Sequence, residues 1–181
     1  MSGAVERVLS LVDARPPRAG ATRVVAVDGP SGSGKTTLAA TLSEALGGAP
    51  VVHMDDLYPG WDGLADAVPR LREWVLEPLS RGETARYRRY DWVEHRYAEW
   101  HDLPATDVLV VEGVGSGARE CAPYVTALVW VEAPHDLRLA RGIERDGEAY
   151  RPHWERWAAQ EEQHFRADGT RGRADVTVRT G

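Results

Sequence analysis

Apolar positions along the chain fall into two spacings. Val5, Val8, Leu9 and Val12 recur three and four residues apart, which predicts an amphipathic helix over residues 4–14, ended by Arg15-Pro16-Pro17-Arg18. Arg23 to Asp28 (RVVAVD) is a short β-branched run that stops at glycine, as a strand buried in a parallel sheet does. The same reading places strands at Pro50 to Met54, Val108 to Val111, Ala127 to Val131 and Asp175 to Arg179. Helical spacing returns from Lys35 to Leu46, closed by Gly47-Gly48. It also covers 64–79 through Leu64, Val68, Leu71, Val75 and Leu79, where Pro69 predicts a break or kink. Arg138 to Asp146 and Pro152 to Ala167 complete the helices, with Trp154 and Trp157 as core residues. Residues 84–102 mix tyrosine, tryptophan, arginine and histidine without a clear period; a strand near Arg86–Trp92 is expected there. Five apolar strands alternating with helices predict an α/β chain, a parallel five-stranded sheet flanked by helices with right-handed crossovers.

Composition narrows what such a chain does. With 181 residues, 43% of them hydrophobic, one domain over 1–181 with one core is expected. A net charge of -6 argues against nucleic acid as a partner, since a phosphate-tracking surface needs a basic excess. No stretch is apolar enough to span a membrane, and Met1 to Ala14 does not read as a signal peptide. Cys121, the one cysteine, fits a reducing cytoplasm and an inert structural thiol. The chain has no asparagine, so the Asn-Lys-x-Asp guanine motif of regulatory GTPases is missing. Among 22 basic residues the only lysine is Lys35.

That lysine completes a phosphate-binding pattern. Gly29, Pro30, Ser31, Gly32, Ser33, Gly34, Lys35 and Thr36 match G-x-x-x-x-G-K-[ST], between a predicted strand and a predicted helix. The glycines let backbone N–H groups turn inward around phosphate, and the helix N-terminus favours an anion. Lys35 would reach the β- and γ-phosphates, the Thr36 hydroxyl would join a Mg²⁺ shell, and Thr37 would follow it at the helix start. A nucleoside triphosphate such as ATP with Mg²⁺ is the expected cofactor pair.

Other residues fit the same chemistry. Asp55 and Asp56 end a strand, where a carboxylate can take a proton from an attacking hydroxyl or bind metal-bound water; a capping pair is the alternative. Glu112 ends the Val108–Val111 strand and can hold Mg²⁺ through water. Arg138, Arg141, Arg145 and Arg151 can close over a triphosphate, or form a solvated face paired with Glu144 and Glu148. His95, among Tyr90, Asp91, Trp92, Arg96 and Tyr97, fits either a base-stacking site or a packed hairpin.

Taken in order, these pieces resemble the uridine–cytidine kinase branch of the phosphoribulokinase/uridine kinase group of P-loop kinases. His53-Met54-Asp55-Asp56-Leu57-Tyr58 resembles its D-x-F-Y segment, and Trp61-Asp62 its Phe-Asp. Tyr90 to Arg96 resembles its Y-D-F…H-x-R stretch, Val111-Glu112-Gly113 its acidic strand end, and Arg138 to Asp146 its lid. Arg173-Ala174-Asp175-Val176 resembles its last strand. The resemblance implies a three-layer P-loop kinase fold with a small arginine-bearing lid over about 138–152 and an acceptor-binding insertion over about 56–104. It makes Asp55 the base, Asp62 the ribose-binding acid and Tyr90 and His95 the base readers. Tyr58 and Arg96 become further acceptor contacts, and Arg141 and Arg145 the lid arginines. It implies phosphoryl transfer from ATP to a hydroxyl of a nucleoside-like small molecule; nicotinamide riboside kinases and other small-metabolite kinases share much of this layout. A switch that binds nucleotide without transfer is the rival reading, and a homo-oligomer stays open. Two departures stand out: Gly142 replaces a second consecutive lid arginine, and Leu57 replaces the phenylalanine.

Overall fold

The five apolar runs pair into one parallel sheet. In the computed structural model, which describes residues 2–148 and 151–181, the strands are β1 (Arg23–Asp28), β2 (Val51–His53), β5 (Val108–Glu112), β6 (Val125–Glu132) and β7 (Val176–Arg179). Their order is β2-β5-β1-β6-β7, with every pairing parallel. The central strand β1 is buried from Val24 to Asp28, which is why its sequence shows no alternation.

Two apolar layers cover the sheet. On one side α1 (Ser2–Ala14) and α2 (Lys35–Ala45) bring Val8, Val12, Leu38 and Leu42 against Val25, Val27, Val129 and Val131. On the other, Leu64, Leu71, Val75, Leu76 and Trp157 pack with Val24, Ala26, Leu109 and Val111. The stretch expected as one kinked helix is three pieces: α3 (Leu64–Arg70), a wider π turn (Leu71–Leu76) and α4 (Glu77–Ser80). Prolines 69 and 78 bracket the π turn, and neither can donate a ladder hydrogen bond. The remaining helices are α5 (His135–Asp146), α6 (Arg151–Asp168) and the short α7 (Thr170–Arg173), which periodicity did not mark. Positions 149 and 150 of the expected lid lie outside the described residues.

The unassigned aromatic stretch is a separate antiparallel hairpin, β3 (Ala85–Asp91) and β4 (Arg96–Leu103). One of its faces carries guanidinium groups over rings: Arg86 and Arg88 over Trp100, and Arg70 of α3 over Tyr97 and over Trp74 of the π turn. Charged and aromatic residues therefore share one face, and the simple apolar/polar alternation of a strand is lost. The turn is held by Asp91, whose Oδ1 accepts the Val93 and Glu94 N–H groups at 3.0 and 2.9 Å. It leaves His95 at φ 51°, a left-handed conformation uncommon for a non-glycine residue. Among the described residues no helix is long and apolar enough to cross a membrane.

Candidate active site

The predicted phosphate loop joins the end of β1 to the start of α2, with Gly34 in the left-handed conformation at the helix N-cap. Two of its glycines answer to backbone packing. A Cβ on Gly29 would stand 2.0 Å from Val131 O, and one on Gly32 would stand 2.4 Å from Arg138 O. The first turn of α5 is thus seated directly on the loop. Arg138 Nη1 donates to Ser31 O and Arg141 Nη1 to Gly32 O, both at 3.2 Å, and Arg141 also reaches Thr180 Oγ1 at 3.0 Å. Lys35 is buried with its Nζ donating to Pro30 O at 3.0 Å.

Two buried acids that the motif does not contain brace this loop. Asp28 Oδ1 accepts the N–H groups of Gly29 and Gly115, and Oδ2 that of Gly117, joining the loop to the turn after β5. Complete burial raises the Asp28 carboxyl to about 6, against the opposing pull of those N–H groups and Lys35. Glu161 of α6 accepts from both the N–H and the hydroxyl of Ser31. An acid at the last residue of a strand before a P-loop was visible for Asp28; nothing near Glu161 in sequence marked it.

Beside Lys35 lies an acidic cluster. Thr36 Oγ1 donates to Glu112 Oε1 at 3.2 Å, and His53 Nδ1 sits 2.7 Å from the same oxygen. The hydrogen bond to Glu112 raises the His53 pKa despite its partial burial. Asp55 follows β2 in a short 3-10 turn (Met54–Asp56). Asp55 is exposed within the cleft that it lines. Desolvation raises its pKa first and Glu112 second, while Lys35, Arg145 and His53 pull it down. Arg145 is bonded to Asp146 at 2.7 Å, and that bond, then the Asp146, Asp55 and Glu112 charges, raises its pKa. Asp56 lies outside the cleft lining, and its pKa too is raised by burial.

One cavity of about 960 Å³ joins these groups to an aromatic wall. Ser31, Gly32, Gly34, Lys35, Thr36, Asp55, Glu112, Arg141 and Arg145 line one end. Tyr58, Trp61, Trp92, His95, His153, Trp154 and Trp157 line the other. Trp157 meets Tyr58 and Trp61 edge-on at 4.7 and 6.4 Å, and Trp61 meets Trp92 at 5.2 Å. Trp92 is held by its Nε1 donating to Asp55 O at 3.1 Å. Trp154 and Trp157 are buried as expected, yet both also face the cavity. Gly142 is explained here: a Cβ at that position would stand 2.5 Å from Trp154 Nε1, so the indole occupies the space a lid arginine's stem would need.

Several expected acceptor residues stand elsewhere. Asp62 does not line the cavity; its side chain is 71% exposed and pairs with Arg156 at 2.9 Å. The turn that carries it is held by α6, through Gln160 Nε2 donating to Trp61 O, so the carboxylate faces α6 across the rim. Arg96 is exposed beside Glu94, and Tyr90 is buried against Trp92 and Tyr97 behind the wall. Arg151 pairs with Glu148. Thr37, exposed on α2, is not among the cavity-lining residues. Cys121 is buried, which pushes its thiol to about 12, the inert condition its sequence setting implied.

Several known proteins similar to this chain are described as kinases. The sequence pattern described as the Phosphoribulokinase / Uridine kinase family matches residues 70–156. A uridine kinase of Borrelia duttonii (strain Ly) is 25% identical over 138 residues, 68% of this chain and 67% of that protein. Nicotinamide riboside kinase 2 of Mus musculus is 32% identical over 99 residues, half of each chain. A solved structure described as a possible uridine kinase from Bacillus stearothermophilus superposes with a TM-score of 0.69 at 22% identity, over 98% of both chains. Over these stretches the chain is similar to the phosphoribulokinase / uridine kinase group, and its fold is that of the P-loop kinases. The same fold recurs in a D-glycerate 3-kinase from Cryptococcus neoformans, with a TM-score of 0.59 at 14% identity over 90% of this chain and 87% of that one.

Proposed function

We propose that this kinase transfers the γ-phosphoryl group of ATP to a hydroxyl of a nucleoside-like acceptor. The observation that carries the reading is the single cavity in which Lys35 and Thr36 share walls with Asp55 and with four tryptophans. Triphosphate enters at the P-loop end, where backbone N–H groups, the α2 N-terminus and Lys35 meet its charge. The Thr36 hydroxyl and Glu112 carboxylate converge as hard oxygen donors and would hold Mg²⁺ there. Bound Mg²⁺ supplies neutralisation of the phosphate oxygens' charge.

Asp55 is the residue we assign to receive the acceptor's proton, and its raised pKa supports that work better than an ordinary surface carboxylate would. As the hydroxyl oxygen bonds to the γ-phosphorus, the bond to the bridging oxygen of ADP breaks and the proton ends on Asp55. Lys35 and Arg145 offset charge developing on the transferred group, Arg145 exchanging Asp146 for phosphate. Arg141, held to Gly32 and Thr180, fixes α5 on the loop.

At the acceptor end the lining is aromatic, with His95 and His153 as its polar members. A flat heteroaromatic ring fits such a wall, and the donors of the two imidazoles can read its edge. The same electron-rich faces favour a cationic ring, which makes nicotinamide riboside the second reading. ATP consumption measured over ribonucleosides, deoxyribonucleosides, nicotinamide riboside, pantothenate and simple sugars decides between them. Turnover with a ring-bearing riboside is expected. Turnover with pantothenate or sugars alone would overturn the nucleoside-like reading, and acceptor-independent nucleotide binding without turnover would favour a switch.

A further inference from the structure

Ser31 is the most heavily bonded residue of the P-loop, and its partners come from outside the motif. Its N–H donates to Glu161 Oε1 at 2.8 Å, and its hydroxyl donates to the same oxygen. That hydroxyl accepts from Trp157 Nε1 at 3.0 Å, and the indole N–H is shared with Glu161 Oε1 at 2.8 Å. The Ser31 carbonyl accepts from Arg138. Every polar atom of Ser31 is therefore committed, so the motif residue predicted to touch phosphate is instead the handle by which α6 holds the loop.

Glu161 is 3% exposed, and burying a carboxylate there is unfavourable unless donors meet it. Three converge on one oxygen, and Arg138 Nη1 stands 4.0 Å from the other. A charge-bearing acceptor suits three donors; a neutral amide that kept its oxygen on them would be a weaker acceptor and would turn its N–H groups toward Arg138. The indole of Trp157 is rigid: its N–H end is bound to this knot while its ring faces the cavity beside Tyr58 and Trp61.

We propose that Glu161 is a positioning residue for nucleotide binding, which sets the P-loop from α6 through Ser31 and Trp157. It touches neither phosphate nor acceptor. It fixes the second variable residue of the loop so that the N–H groups after it are already arranged when the triphosphate arrives. This rests on the reading of Gly29–Thr36 as the nucleotide site. Because Trp157 belongs both to the knot and to the acceptor wall, the two ends of the cavity share one rigid side chain.

The test is calorimetric binding of Mg²⁺ with the non-hydrolysable β,γ-imido analogue of ATP, which needs no acceptor. Glu161→Gln should weaken binding about tenfold or more, the usual effect of losing a hydrogen-bonded charge. Trp157→Phe, which keeps a ring in the wall and drops the N–H, should weaken it about threefold. In a Ser31→Ala background Glu161→Gln should add less than it does alone, because both act at one knot. Val8→Ala in α1 is the control for plain destabilisation: its melting temperature should fall while its affinity stays that of the parent. Should Glu161→Gln not fold, the Trp157→Phe affinity decides alone. Affinities within twofold of the parent in the folded variants, or an equal loss in Val8→Ala, would overturn the positioning role. A parent protein that does not bind the analogue would instead overturn the nucleotide site itself, before any question about Glu161.

Discussion

The two ends of the cavity are built by different means. The end proposed for phosphate is made from eight consecutive residues, and much of its chemistry is backbone: glycines that admit close packing, N–H groups, a helix start. The end proposed for the acceptor is made from side chains that the fold collects. Tyr58 and Trp61 follow β2, Trp92 and His95 come from the hairpin turn, and His153, Trp154 and Trp157 come from α6. A site written in contiguous backbone can be read from sequence, because its spacing is its geometry. A site collected from three distant segments has no spacing to read. The same contrast separates two arginines of α5: Arg141 is tied to backbone at Gly32, whereas Arg145 is bonded to its neighbour Asp146 and reaches the field of Asp55 and Glu112.

The sharpest way to break this contrast is to remove the chemistry where the two ends meet. Asp55→Asn keeps the shape and removes the proton acceptor, and kcat should fall about 10²–10⁴ with little change in the KM for acceptor. Lys35→Ala should lower turnover about 10² or more, with the fold intact by circular dichroism. Near-parental kcat in purified Lys35→Ala would falsify the phosphate assignment. Because Lys35 is the only lysine, bound Mg-ATP should also shield the chain's one side-chain amine from acylation, read by mass spectrometry.

Arg145→Ala should cost about 10² in kcat, as loss of one donor to developing charge does. Arg141→Ala should act differently, raising the KM for ATP and lowering the melting temperature more than kcat. Equal kcat losses in the two variants would erase the distinction drawn between them.

A fourth test concerns pH. Folding raises the Asp28 carboxyl from 3.8 to about 6, so the native state keeps this proton to higher pH than the unfolded chain does. Its contribution to stability is therefore greatest below pH 4 and is lost as pH rises to about 6, by about 3 kcal/mol, then stays flat. Denaturant unfolding of the parent and of Asp28→Asn should show their stability difference falling over that window. A difference independent of pH would mean that Asp28 is not titrating in the fold.

Legibility in sequence followed the same division as the cavity. The five sheet strands were readable because a strand buried on both faces is a plain apolar run, as in Val108–Val111. The 64–79 helix was readable in period but not in its π turn, which depends on two prolines and on what packs around them. The hairpin was half seen, since arginines stacked on tryptophans disguise its alternation. Asp28 stands in sequence just before the loop, but its bonds to Gly115 and Gly117 are not legible there, and Glu161 is unmarked because the serine it holds is 130 residues away. The tryptophans of α6 were correctly placed in the core, but a core that borders a cavity also makes its wall.

The smallest expected effect sits where the resemblance and the geometry part. Asp62 occupies the position of a ribose-binding acid, yet its carboxylate is largely exposed and bonded to Arg156 on α6. An exposed pair of this kind typically contributes about 0–1 kcal/mol, screened further by salt. Asp62→Asn should therefore change the acceptor KM by less than about fivefold, since less than about 1 kcal/mol is at stake. It should also leave the preference between ribo- and 2′-deoxyribonucleosides as in the parent. Trp61→Ala, one residue away, removes a wall of the cavity and should raise the acceptor KM clearly more, leaving the KM for ATP in place. If Asp62→Asn instead weakens ribonucleosides by tenfold and spares deoxyribonucleosides, the carboxylate must leave Arg156 and swing into the cavity when acceptor binds. The acceptor end would then be a site that its ligand completes, and the contrast with the preformed phosphate end would deepen.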